Sequence, residues 1–159
     1  MASHVPFETT RFVRDNCLCL HVQRASRVLA RFFDEALRDV DLTNGQFSLL
    51  MSLNRPEAPS IGCVASLLAT DRTTLTAALK PLQRRGLIKV VVQAHDKRRR
   101  LLRLTSKGRL LLARAVPLWR DAYAKAEAML GESKVDGLRR NLEALAVLRG
   151  HGGEDALIE

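Results

Sequence analysis

Apolar residues recur along this chain at two periods. Leu18, Val22, Ala25, Leu29, Phe32 and Ala36 return every three or four positions, with Arg24, Arg27, Arg31, Asp34 and Glu35 elsewhere around the barrel. This predicts one long amphipathic helix over 11–38. In "DLTNGQFSLLMSL", Thr43 followed three positions later by Gln46 is a capping box, opening a helix to about Leu53; Pro56 and Pro59 in "NRPEAPS" bar its continuation. Ser60 then caps a short helix through Leu68, with Val64, Leu67 and Leu68 facing inward. After the turn "ATD", Asp71 caps "RTTLTAALKPLQRR", which ends at Gly86. Its apolar side is Leu75, Leu79 and Leu82, with Ala78 beside it; the other side shows Arg72, Thr73, Thr74, Thr76, Ala77 and Lys80. Two short helices joined by a tight turn fit a helix-turn-helix.

The period then changes. "LIKVVVQ" and "RLLRLT" are β-branched or leucine-rich runs flanking the polar "AHDKRR", which predicts a hairpin with a cationic tip. A hairpin directly after a helix-turn-helix makes a winged helix, so the expected class is mainly α, an α+β winged helix. From "TSKG" the helical period resumes through Leu112, Val116, Trp119, Tyr123, Ala126 and Leu130 to Gly131. Val135, Leu138, Leu142 and Leu145 follow with coiled-coil spacing. Pro81 and Pro117 fall inside predicted helices, and each is expected to kink its helix. The tail "RGHGGEDALIE" is expected to be loose.

Charge changes what this fold is for. The net charge is +9, but 72–109 alone holds twelve Lys and Arg against the single acid Asp96, leaving −2 for the rest. Such a run is either a solvated face or a patch for a polyanion, bound through counterion release. No aromatic residue lies between Phe47 and Trp119, so the basic quarter lacks stacking platforms for unpaired bases, and duplex DNA is favoured.

Other classes find little support. "MASHVPFETTRFVRDN" has no apolar signal core and no run approaches a membrane span. Three cysteines, Cys17, Cys19 and Cys63, do not suggest a disulfide framework, which points to a reducing, cytoplasmic compartment. There is no phosphate-cradling glycine loop, metal-ligand cluster or nucleophile motif, so neither an enzyme nor a cofactor is expected. Cys17 and His21, at i and i+4, are a weak candidate pair of metal ligands.

"LTNGQFSLL", "DRTTLTAALKPLQRRGLI" and "DKRRRLLRLTSKG" resemble the MarR family of winged-helix transcriptional regulators, with similarity over roughly 12–148. The resemblance implies one MarR-type domain over 1–159. Its parts would be a DNA-binding lobe at 43–105, a helical dimerisation arm from 11–40 and 106–148, and a flexible tail at 149–159. It implies a homodimeric repressor whose recognition helices enter successive major grooves of a palindromic operator. Arg98 of the wing would enter the minor groove, flanked by Lys97 and Arg99, while Asp96 holds the wing in shape. Thr73, Thr74 and Thr76 are candidates for base edges or thymine methyls, with Ala77 on the same face, and Arg72 and Lys80 for guanine or phosphate. Arg84, Arg85 and Lys89 are expected to touch phosphates or nothing.

Release would come from a small aromatic or phenolic compound between arm and lobe, or from an oxidised cysteine. Cys19 aligns with the reactive cysteine of the family's organic-hydroperoxide sensors, although their nearby tyrosine falls on Phe33; Arg24 and His21 are candidate activators. The alternatives are that all three cysteines simply pack, and that the protein is an architectural DNA coater or a winged helix for protein contacts.

Overall fold

The computed structural model describes residues 4–93 and 96–146, with the side chains of 93, 96–99, 132 and 133 outside that description. The elements are α1 (Phe7–Asn16), α2 (Leu18–Ala36), a 3-10 turn (Arg38–Val40), α3 (Asn44–Ser52), α4 (Ile61–Leu67) and α5 (Arg72–Arg84). They continue with β1 (Ile88–Gln93), β2 (Asp96–Leu104), α6 (Ser106–Leu130) and α7 (Glu132–Ala146).

The predicted single helix over 11–38 is two. Cys17 is extended (φ −73°, ψ 104°); its amide closes α1 on the Val13 carbonyl at 2.9 Å, and its own carbonyl accepts the His21 amide at 3.1 Å. The apolar repeat explains the break. One turn before Leu18 the phase of α2 falls on Arg14 and Asp15, so a straight continuation would carry an ion pair onto the apolar face.

Local start signals appear in the structure as written in the sequence. Thr43 Oγ1 accepts from the Gln46 amide and Gln46 Oε1 accepts from the Thr43 amide, each at 3.2 Å. Ser60 Oγ accepts from the Cys63 amide at 3.2 Å. Gly86, at φ +70°, ends α5 in the left-handed conformation that favours glycine. Both α5 and α6 run through their internal prolines as single helices, and nothing in the structure explains Pro81.

Leu37, Leu50, Leu82, Leu87, Leu102 and Ala115 are at most 1% exposed, so one core joins the 3-10 turn region, α3, α5, the wing and α6. Burying each such leucine contributes about 2 kcal/mol. Leu67, expected inward, is 43% exposed: α4 presents Val64 and Ala65 to the core, and its last turn carries Leu67 past the edge. Ala78 is likewise exposed.

The strands pair antiparallel in register from Ile88↔Leu104 to Val92↔Arg100, then slip to Gln93↔Asp96. The predicted tip is therefore partly strand. Asp96, Lys97, Arg98 and Arg99 belong to β2, and Lys97–Arg99 are the residues taken up by the slip. Residues 94 and 95 and the expected tail, 149–159, lie outside the described residues. The sheet also gains a bridge that the sequence did not advertise, Ser60↔Leu101, with the Leu102 amide donating to the Pro59 carbonyl at 2.9 Å.

Candidate nucleic-acid interface

The candidate face begins at the Asp71 cap. One carboxylate oxygen accepts the Thr74 amide at 2.8 Å and the other accepts the Thr74 hydroxyl at 2.6 Å. The Thr74 hydroxyl hydrogen bond, followed by the backbone amides, holds the Asp71 carboxyl below its ordinary range. The tight turn before it passes through Ala69 at φ +49°.

α5 divides by side. Leu75, Leu79 and Leu82 are buried, whereas Arg72, Thr73, Thr74, Thr76, Ala77 and Lys80 are all exposed and share the other side. The threonines are not equivalent. Thr76 Oγ1 donates to the Arg72 carbonyl at 2.6 Å, and the Thr74 hydroxyl proton is held by Asp71. One hydroxyl donates to the cap of α5 and the other within the helix, so both protons are already engaged and a methyl group and acceptor lone pairs remain.

Arg72 lies across Gly62 of α4. A Cβ at position 62 would stand 3.1 Å from Arg72 Nη2 and 3.6 Å from Cζ, so the missing side chain makes the seat for the guanidinium. This is a tertiary feature, and no local signal in the sequence marks it.

Arg85 does not join this face. Its Nη1 donates to the Asp41 carbonyl at 2.7 Å and its Nη2 pairs with the Asp41 carboxylate at 3.2 Å, beyond the far end of α5. Lys107 Nζ donates to the Arg85 carbonyl at 2.9 Å, tying α6 to the same corner. Asp96, Lys97, Arg98 and Arg99 enter through β2, which pairs with β1; β1 packs on α5 and so sets the wing beside the recognition helix. The side chains of these four residues lie outside the described part of the structure.

Between α2, α3 and α6, aromatic rings pack together. Trp119 stacks with Phe33 (6.3 Å between centroids), Phe47 (5.8 Å) and Tyr123 (5.2 Å), and Phe32 meets Phe33 edge-on. The Tyr123 hydroxyl donates to Glu127 at 2.9 Å, and that hydrogen bond pushes the phenol above its ordinary value.

The cysteine alternatives change. Cys19 and Cys63 are exposed and Cys17 is half-buried, so Cys19 and Cys63 are not core packers; all three are free thiols. Cys19 Sγ accepts from Gln23 Nε2 at 3.2 Å, while His21 turns its Nδ1 back to the Cys17 carbonyl at 2.8 Å. Cys17 and His21 gain no third partner: among the described residues no cluster of three or more His, Cys, Asp or Glu is arranged to hold a metal. No described helix is long and apolar enough to cross a membrane.

The MarR family model matches residues 42–99, from the residue before the α3 cap into β2. The organic hydroperoxide resistance transcriptional regulator of Bacillus subtilis is 30% identical over 65% of this chain and 71% of its own length. The match to the HosA regulator of Escherichia coli spans only 58% of that protein and 49% of this chain. Among solved structures, the Mycobacterium tuberculosis regulator MosR in complex with DNA is 36% identical, with TM-score 0.69, covering 82% of this chain and 98% of its own. The repressor CouR bound to a 23-mer DNA duplex is 28% identical, with TM-score 0.77, covering 91% and 99%. A CouR structure with p-coumaroyl-CoA superposes with TM-score 0.73 at 28% identity, covering 88% and 96%. With the capped recognition helix, the paired wing and the flanking helices all in place, the chain belongs to the MarR family of winged-helix transcriptional regulators.

Proposed function

We propose that the protein is a homodimeric, cytoplasmic, non-enzymatic repressor that binds a near-palindromic operator in double-stranded DNA. The observation that carries this reading is the exposed side of α5, with Arg72, Thr73, Ala77 and Lys80 set against three buried leucines and joined through β1 to a cationic wing. The relatives solved on DNA support it. In this reading 43–105 is the DNA-binding lobe, and 11–40 with 106–148 form the dimerisation arm.

Two copies of α5 enter successive major grooves about 34–36 Å apart. Thr74 and Thr76 meet thymine methyls rather than acting as donors, since their hydroxyl protons are held by Asp71 and by the Arg72 carbonyl. Arg72, steadied on Gly62, and Lys80 take guanine or phosphate. Arg98, with Lys97 and Arg99, follows the minor groove, and Asp96 orders the wing. Release follows a small aromatic or phenolic effector at the junction of arm and lobe, or oxidation of exposed Cys19; the CouR complex supports the first route.

Arg98→Ala tests the wing. Operator affinity should fall roughly tenfold, in line with about 1–3 kcal/mol for a specific groove contact. The slope of log K against log salt should shrink by about one. Unchanged affinity and slope in a fluorescence-anisotropy titration refute the wing contact. A binding-site selection that returns no palindromic preference refutes the specific repressor in favour of a coating protein.

A further inference from the structure

A hollow of about 350 Å³ opens at the base of the wing, between the α3–α4 loop, β2 and the first turn of α6. Arg55, Arg103, Arg109 and Asn54 are among its lining residues, with the buried core residues Leu102 and Leu104 at its floor, and the lining includes no acidic residue. Three arginines lining one hollow repel each other unless an anion or bound counterions screen them. Among the described residues Arg55 Nη1 meets the Cys63 sulfur at 3.9 Å, and Arg109 Nη1 donates to the Leu104 carbonyl at 3.3 Å. None of the three joins an ion pair among the described residues.

We propose that this hollow is a phosphate-binding site for a soluble phosphorylated molecule, separate from the DNA-reading face. Planar guanidinium forks match phosphate oxygens two at a time, and a polyvalent headgroup offers more oxygens to several arginines than a single carboxylate does. The volume lies at the lower end of small-molecule sites, suited to a headgroup rather than a whole large ligand.

Position argues against a DNA phosphate. Arg103 pairs with Lys89, four residues along β1 from the tip-side Gln93, or about 13 Å at ~3.3 Å per residue. α5 packs on β1, while the hollow opens beside β2 and contains no residue of α5. A ligand there would bridge α6 of the arm to the wing base and the α3–α4 loop.

The test uses the full chain and inorganic pyrophosphate, titrated calorimetrically at constant ionic strength with chloride as the reference. One saturable site per chain is expected. Arg103→Gln and Arg109→Gln should each weaken it at least tenfold, while Arg120→Gln on the exposed middle of α6 should not. Because the substituted side chains are exposed, circular dichroism should match the parent; Arg55→Gln is an independent third variant. Non-saturable heat, or equal affinity in parent and all three hollow variants, overturns the site. In a second arm, Arg103→Gln/Arg109→Gln should hold operator affinity within twofold. A loss with a shallower salt slope would assign the hollow to the DNA backbone and overturn the soluble-ligand reading. The first arm contains no DNA, so failure of the repressor reading would not obscure it.

Discussion

Asp71 accepts both the amide and the hydroxyl of Thr74, so its charge stabilises the first turn of α5, the proposed recognition helix. Its carboxyl is held below the ordinary range, which fixes the sign of the pH dependence. The stabilisation is present in full above the unfolded carboxyl's pKa, about 4, and is lost as pH falls through the lower folded value. Asn caps without titrating. Thermal melts between pH 6 and 2 should therefore show the parent losing its margin over Asp71→Asn only below about pH 4. Parallel curves would show that the ionised form contributes nothing to the cap. At the same scale, the fixed hydroxyls of Thr74 and Thr76 narrow what these side chains can read, a restriction invisible until their partners are known.

Gly108 governs how α6 begins. A Cβ there would lie 2.1 Å from the Leu87 carbonyl oxygen, a backbone atom that cannot swing aside. Gly108→Ala should destabilise the protein by about 1–3 kcal/mol, as overpacking does, read as a lower urea midpoint at unchanged m-value. The glycine itself was legible in "TSKG", but not its reason, which is a contact between α6 and the residue opening the wing. That division holds generally here. The caps at Thr43, Ser60 and Asp71 could be read because a cap is a relation between residues three apart. The wing strands were legible from their β-branched runs, but the slip after Val92 was not, because register belongs to a pair of strands. Cys17 breaks a helix without glycine or proline, so composition carried no punctuation. The exposed side of α5 was readable from its periodicity, whereas the Gly62 seat, the diversion of Arg85 to Asp41 and the arginine hollow all depend on distant segments.

A single chain leaves much apolar surface open on its outer helices. Leu18, Val22 and Leu29 of α2 and Leu138, Leu142 and Leu145 of α7 are each at least 40% exposed, with Phe7 and Phe12 of α1 near 70%. Patches on this scale mark an interaction surface, and a second copy covers them in the proposed dimer. Leu142→Glu should convert the dimer to monomer in light scattering. Operator affinity should then fall more than tenfold, because two half-sites no longer bind as one unit. A variant that remains dimeric would remove α7 from the interface.

At the root of the wing, the Thr105 amide donates to the Leu87 carbonyl at 3.0 Å and its hydroxyl to the Gly86 carbonyl at 2.7 Å. The Gly108 amide donates back to that hydroxyl oxygen at 3.0 Å. The exit of α5, the start of β1 and the start of α6 are thereby riveted into one solid joint. In the proposed dimer a joint tied in this way couples neighbours: a tilt of α6 against its counterpart is expected to carry α5 along and alter the span between the paired probes.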